Sequence, residues 1–366
     1  MMRLETWRYF DYWLIGAVAV LVIFGVAMID SAIAGNPELV EANAVQRQML
    51  FAGLGFVVVI IATLLDYHFW PTIGKVLYVV IFVMLAMVTF GGEEAFGAGR
   101  WINIAGQVIQ PSELAKITII VLSADFFARN KDRMDQIPTI LRSSLVTVVL
   151  VALIIVQPDL STSITLMVIW AAMLFGSGLK WKHILLFLVI AVVVSAIGYP
   201  FLADYQKARI RNFIFTDEDA RFGEEYNVNQ ALITIGSGGW LGQGYGQGSQ
   251  VQLRFMKVRD TDFIFASISH ELGFVGAVAI MGLIFFVIYR ILYNARMARD
   301  TYGALVCYGV AALIAFHTIV NIGMNLKLLP VTGLPLPFIS RGGSALMSIL
   351  LGIGLVESVA ARQKIS

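Results

Sequence analysis

An all-α bundle embedded in a bilayer, with about ten spanning helices, is the fold this sequence predicts. Three observations carry it: 58% of the 366 residues are hydrophobic, only 14% are charged, and mean hydropathy is +0.81. Soluble domains average about 25% charged residues, so a soluble enzyme is excluded. High apolar content without a three-residue glycine repeat excludes disordered and collagen-like chains. Net charge is +2, from 26 basic and 24 acidic residues. That lacks the broad basic surplus expected for a nucleic-acid partner. The single cysteine, Cys307, excludes an intramolecular disulfide framework and a thiolate zinc cluster.

Apolar runs bounded by charge or by Gly/Pro clusters lie near 11–31, 47–65, 73–90, 112–129, 141–156, 159–178, 184–202, 263–290, 302–326 and 343–360. The first resembles a signal peptide at Ala32-Ile33-Ala34, but the apolar stretch from Trp13 to Ile29 exceeds the usual h-region, so an uncleaved helix is the better reading. The fifth and sixth are divided chiefly by Gln157-Pro158-Asp159. Alternate short loops hold most of the basic residues, among them Arg129, Lys131, Arg133, Arg142, Arg290, Arg296 and Arg299. The positive-inside rule then puts both termini in the cytoplasm and the long 203–262 loop, between helices 7 and 8, outside it. No duplicated half or inverted repeat is visible. The chain reads as one membrane domain over 1–366, and any active site must be built from helix ends and outer loops.

Polar groups inside or at the ends of spans are costly and point to function. Four places stand out, all on the predicted outer side. Arg100-Trp101 is followed by Gln110-Pro111-Ser112-Glu113-Leu114-Ala115-Lys116. Pro111 suits a first helical position, and Glu113 and Lys116 share a helix face. That pattern fits a local ion pair as well as a buried pair positioning a substrate site. Asp159 reads most simply as the cap of the next helix. The long loop carries Lys207, Arg209 and Arg211, then a glycine-dense stretch from Gly236 to Gly248. Glycines let backbone amides approach a phosphate and arginines pair with it, though a flexible loop explains the composition equally. The loop ends at Arg259-Asp260-Thr261-Asp262-Phe263, where Asp262 is either an N-cap or a carboxylate placed to take a proton from a lipid-borne substrate. Last, Leu329 to Ser344 holds three prolines and three glycines yet stays apolar, which suits a non-helical pocket wall carrying Arg341. His270, Glu271 and His317 lie within spans, and no His/Asp/Glu spacing fits a zinc site.

These segments, with Gln230 to Gly239, Glu271-Leu272-Gly273 and Thr261 to Ala266, resemble the SEDS family (shape, elongation, division and sporulation) over nearly the whole chain. Val331-Thr332-Gly333 is closer to its rod-shape members than to its division members, which usually carry a lysine before that glycine. The resemblance implies a ten-helix peptidoglycan glycosyltransferase of the bacterial cytoplasmic membrane. It would polymerise lipid II on the outer face for cell elongation and shape, with a class B penicillin-binding protein as transpeptidase partner alongside other elongation-complex membrane proteins. It makes Asp262 the essential carboxylate, with Glu113, Lys116 and Asp159 as further site residues. Two departures stand out: Arg341 where the family usually has tyrosine, and His270 where many members have glutamate.

An α-linked diphosphate donor and a β-1,4 product call for one inverting displacement. Asp262 is then the base, Arg209 and Arg211, with Arg100 or Arg341, face the leaving diphosphate, and Lys116 fixes Glu113. Diphosphate leaves without a proton, so no acid partner is needed. A divalent ion such as Mg²⁺ near Asp159 or Glu113 can share the load; no organic cofactor is implied. A lipid II flippase is the alternative, but it should show repeat symmetry or discontinuous helices, and the sequence displays neither clearly.

Overall fold

The computed structural model describes residues 9–34, 43–90, 101–104, 107–134, 136–157, 159–178, 189, 197–202, 204–215, 223–249 and 259–363. Regular structure among them is helical apart from one antiparallel hairpin, β1 (Ile102–Ile104) and β2 (Gln107–Ile109). Nine helices match expected spans: α1 (Tyr12–Ile33), α2 (Ala44–Leu64), α3 (Trp70–Phe90), α4 (Pro111–Arg129), α5 (Ile137–Val156), α6 (Leu160–Gly176), α9 (Ile264–Met297), α10 (Thr301–Asn325) and α11 (Gly343–Ala360). The span expected at 184–202 lies mostly outside the described residues. Within the stretch read as one long loop, two further helices form: α7 (Asp204–Ile214) and α8 (Gly223–Ser237).

Seven of the described helices are long and apolar enough to cross a membrane. α4 falls short on composition because Glu113, Lys116, Asp125 and Arg129 run along it. Its neighbours enclose it instead: Ile117, Ile119, Ile120 and Lys116 are all buried. The centre of the bundle belongs to α10 and α11. Of α11's apolar window, 72% is enclosed by protein, against 22% for the span containing α3, whose outward Val76, Val79 and Met87 suit lipid contact. Small residues set the closest approaches, as expected where lipid competes with side chains for apolar contact. A methyl on Gly354 would lie 2.8 Å from Ala62 Cβ on α2. At the end of the bundle away from Gly343, Asp11 caps α1 and binds Arg290 Nε (3.0 Å) and Asn294 Nδ2 (2.8 Å). Its backbone N–H donates to Glu357 Oε2 (3.0 Å), so one buried network ties α1, α9 and α11.

α9 is broken. Gly273 adopts φ 69°, ψ −170° inside it, which strands backbone groups on both sides. The glycine-dense segment satisfies them: Gln243 and Gly244 N–H donate to the His270 and Glu271 carbonyls (both 3.0 Å). In return Phe274 and Val275 N–H donate to the Gly239 and Trp240 carbonyls (2.8 and 3.1 Å). This contact requires Gly238 and Gly242, since a side chain on either would collide with the Ser269 or Glu271 carbonyl. The glycines therefore serve backbone-to-backbone packing. The discontinuous helix that the sequence did not reveal is closed by protein rather than left open.

The proline-rich segment is seated as tightly on α1. A methyl on Gly25 would stand 2.6 Å from Ile339 Cα and 2.8 Å from the Phe338 carbonyl, where the buried Phe338 holds φ 68°. Backbone cannot rotate aside as a side chain does, so Gly25→Ala is expected to destabilise by about 1–3 kcal/mol. Gly16→Ala on the same helix, with nothing within 4 Å of the added methyl, should leave the thermal midpoint unchanged or slightly raised. Comparing the two midpoints in detergent tests the contact; equal midpoints would refute it.

Candidate active site

At the end of the bundle where α4, α6 and α11 begin, a cavity of ≈ 410 Å³ opens. Ligand sites for small organic groups commonly fall near this size. Glu113, Asp159, Arg209, Asp262 and Arg341 all line it, although the first and last are 228 positions apart in the chain. Gln110, Trp101, Ser161, Thr332 and Gly333 complete much of the wall.

Each residue is held by local chemistry. Pro111 opens α4 at its first position, Glu113 sits in the first turn, and Lys116 Nζ donates to Glu113 Oε1 at 2.8 Å. Both side chains are at least nine-tenths buried. Glu113 Oε2 finds no hydrogen-bond donor among the described residues. Lys116 does not line the cavity; it lies beneath Glu113, with Nζ also 3.4 Å from the buried His317 Nε2. Asp159 caps α6, accepting from Thr162 N (3.1 Å) and Thr162 Oγ1 (2.9 Å), and Gln110 Nε2 reaches it at 3.3 Å. One carboxylate thus serves as helix cap and as cavity wall.

The two neighbouring acids before α9 have different fates. Asp260 is buried, its carboxylate pairs with Arg341 Nε, and its carbonyl accepts the Arg341 N–H at 3.0 Å. Asp262 is the one that faces the cavity. Arg341 accordingly has a partner within the wall, so its positive charge is already largely matched. Ser340 Oγ donates to the Thr261 carbonyl at 2.7 Å, which sutures the same two segments again. Asp262 is not the N-cap of α9. That position belongs to Phe263, which has no side-chain oxygen.

Arg211 departs from expectation. It is exposed on α7 and does not line the cavity, because the helical turn that turns Arg209 inward turns Arg211 away. Arg100 lies outside the described residues. His270 packs against the end of α8, with Nδ1 2.9 Å from Ser237 Oγ. Glu271 accepts from Ser31 on α1 and from Gly246 N (3.2 Å), in the clasp around Gly273. Tyr245, outside the spans, donates to the Ala27 carbonyl at 2.8 Å; burial, with the Asp30 and Glu271 carboxylates nearby, pushes its hydroxyl above its usual pKa.

The sequence reading missed Asn321 and Asn325, fully buried one turn apart on α10. Both Nδ2 groups donate to the Asp262 carbonyl at 3.0 Å. Attention to ionisable residues alone passed over them; a polar amide inside an apolar span was the available signal.

The profile of the cell cycle protein family FtsW/RodA/SpoVE matches residues 12–365. The peptidoglycan glycosyltransferase MrdB of Escherichia coli K12 is 33% identical over 329 residues, 88% of this chain and 87% of that one. Among solved structures, a chain of a peptidoglycan synthase complex coordinating polymerization and crosslinking superposes with a TM-score of 0.81 at 28% identity, covering 97% of this chain and 99% of that one. The rod shape determining protein RodA of Thermus thermophilus gives 0.71 at 26% identity, covering 98% of each chain.

Proposed function

Because this chain belongs to the FtsW/RodA/SpoVE family, integral membrane glycosyltransferases of peptidoglycan synthesis, we propose that it polymerises lipid II into β-1,4-linked glycan for cell elongation and shape. The cavity would face the outer side of the bacterial cytoplasmic membrane, with both termini inside. The observation that carries the reading is the convergence of Asp262, Asp159, Glu113 and Arg209 on one cavity at a helix-end rim.

The reaction is a single displacement. The acceptor is the 4-hydroxyl of the GlcNAc on lipid II, and the donor is the growing glycan on undecaprenyl diphosphate. The hydroxyl oxygen attacks the anomeric carbon from the face opposite the diphosphate, its proton passes to Asp262, and the diphosphate departs with the bonding electrons. Arg209 and Arg341, the latter paired with Asp260, both line the cavity and would face that charge. Glu113 Oε2 is positioned to accept from a substrate hydroxyl or amide, a buried acceptor being costly to leave unmet. Arg211, exposed on α7, is left with a peripheral contact to the lipid diphosphate. No three His, Cys, Asp or Glu side chains converge on a metal-sized point among the described residues. A divalent ion would need the substrate's phosphate oxygens plus one of Asp159 or Glu113.

A transpeptidase of the class B penicillin-binding type is the partner this function calls for, since uncrosslinked glycan has no strength. A solved neighbour coming from a complex that couples polymerization to crosslinking supports that assignment. The test is gel analysis of lipid II products made by the purified chain, alone and with its transpeptidase. A ladder of glycan lengths is expected. Lipid moved between leaflets of a vesicle with no polymer would favour a flippase instead.

A further inference from the structure

Phe263 precedes the first helical residue of α9 and has no side-chain acceptor. The Ala266 N–H is shared between the Phe263 carbonyl (3.1 Å) and Asn325 Oδ1 (3.2 Å) of the neighbouring helix α10. The Asp262 carboxyl lines the cavity, and its Oδ2 would lie 3.8 Å from a methyl placed on Gly333. The amide nitrogens complete the arrangement. Asn325 Nδ2 and Asn321 Nδ2 both donate to the Asp262 carbonyl at 3.0 Å, and Asn321 Nδ2 also reaches the Leu334 carbonyl at 2.8 Å. Leu334 lines the cavity too. One pair of amides therefore fixes the backbone of the turn bearing Asp262 and its distance from the opposite wall. Burial of both without exposure leaves water no share in those bonds.

We propose that Asn321 and Asn325 are positioning residues for Asp262: they pin its carbonyl to α10 and to the Leu334 wall, so that its carboxyl stays directed at the acceptor hydroxyl. The inference rests on Asp262 being the base. Displacing a reacting group by about 1 Å costs on the order of 10²-fold in rate, so positioning should register in turnover rather than in substrate binding.

Two variants divide the roles. Asn325→Asp keeps an acceptor for the Ala266 N–H and loses one of the two donors to the Asp262 carbonyl; Asn321→Ala keeps the Asn325 contacts and removes the other donor together with the bridge to Leu334. Each is expected to lower kcat for glycan synthesis at least tenfold, with KM for lipid II within twofold of wild type, measured at a temperature below the thermal midpoint, which both buried changes should lower. In an Asp262→Asn background the same changes should alter the residual rate less than twofold, because there is no base left to position. A further tenfold loss in that background, or an unchanged kcat in both single variants, overturns the proposal. A wild-type rate for Asp262→Asn by itself would instead remove the base assignment.

Discussion

Asp262→Asn protein is expected to make glycan roughly 10²–10⁴-fold more slowly than wild type, the usual worth of a positioned general base. The change is nearly isosteric. It keeps an oxygen acceptor toward the cavity and removes only the capacity to take a proton at neutral pH. The fold should tolerate it, because Asn321 and Asn325 grip the backbone carbonyl of this residue and not its carboxyl. Lipid II binding should persist for the same reason. Rates from single-turnover polymerisation, with the thermal midpoint as a check on folding, read the effect. A rate within twofold of wild type would move the base elsewhere, to Asp159 or Glu113, the other two carboxylates on the cavity.

Glu113→Ala is expected to be the most destabilising single change near the site, by about 3–5 kcal/mol, since it leaves the Lys116 ammonium buried without its carboxylate. Lys116 has no route to water from its position, with a side chain only 1% exposed, and the second neighbour, His317, is no anion. The double variant Glu113→Leu, Lys116→Met removes both charges and should recover most of the thermal midpoint, because a buried pair contributes little net stability over apolar side chains. Glycan synthesis should stay lost in the double variant, as the cavity has then lost its buried acceptor. Recovery of synthesis with stability would show that the pair serves the fold alone.

The spans were legible because the bilayer demands long apolar runs, and α1 to α6 and α9 to α11 fall within a few residues of those runs. α4 was read as one of these runs, although Glu113, Lys116, Asp125 and Arg129 make it less apolar than the others. Glu113, Asp159 and Asp262 were singled out because a charge at the end of an apolar helix is rare and because the family resemblance falls on them; Arg209 and Arg341 were singled out as the cations of the long loop and the proline-rich segment. What escaped was pairing across distance. Nothing in Arg259-Asp260-Thr261-Asp262 says which acid Arg341 will match, since the answer depends on how the proline-rich wall seats against Gly25. The break at Gly273 was hidden because a glycine inside an apolar helix reads as a packing residue. Its φ of 69° becomes necessary only once Gly239 to Gly244 supply the missing partners. The hairpin at 102–109 was missed because two strands of three residues have no pattern long enough to read.

The clasp at Gly273 also has a mechanical meaning. Four backbone bonds join residues 239–244 to both sides of the break, so that segment and the first turns of α9 form one stiff block. Asp262 rides at the tip of the block, about 15 Å along the helix from the clasp by the usual helical rise. Trp240 and Leu241 stand exposed on the same block, at the far end from that carboxylate.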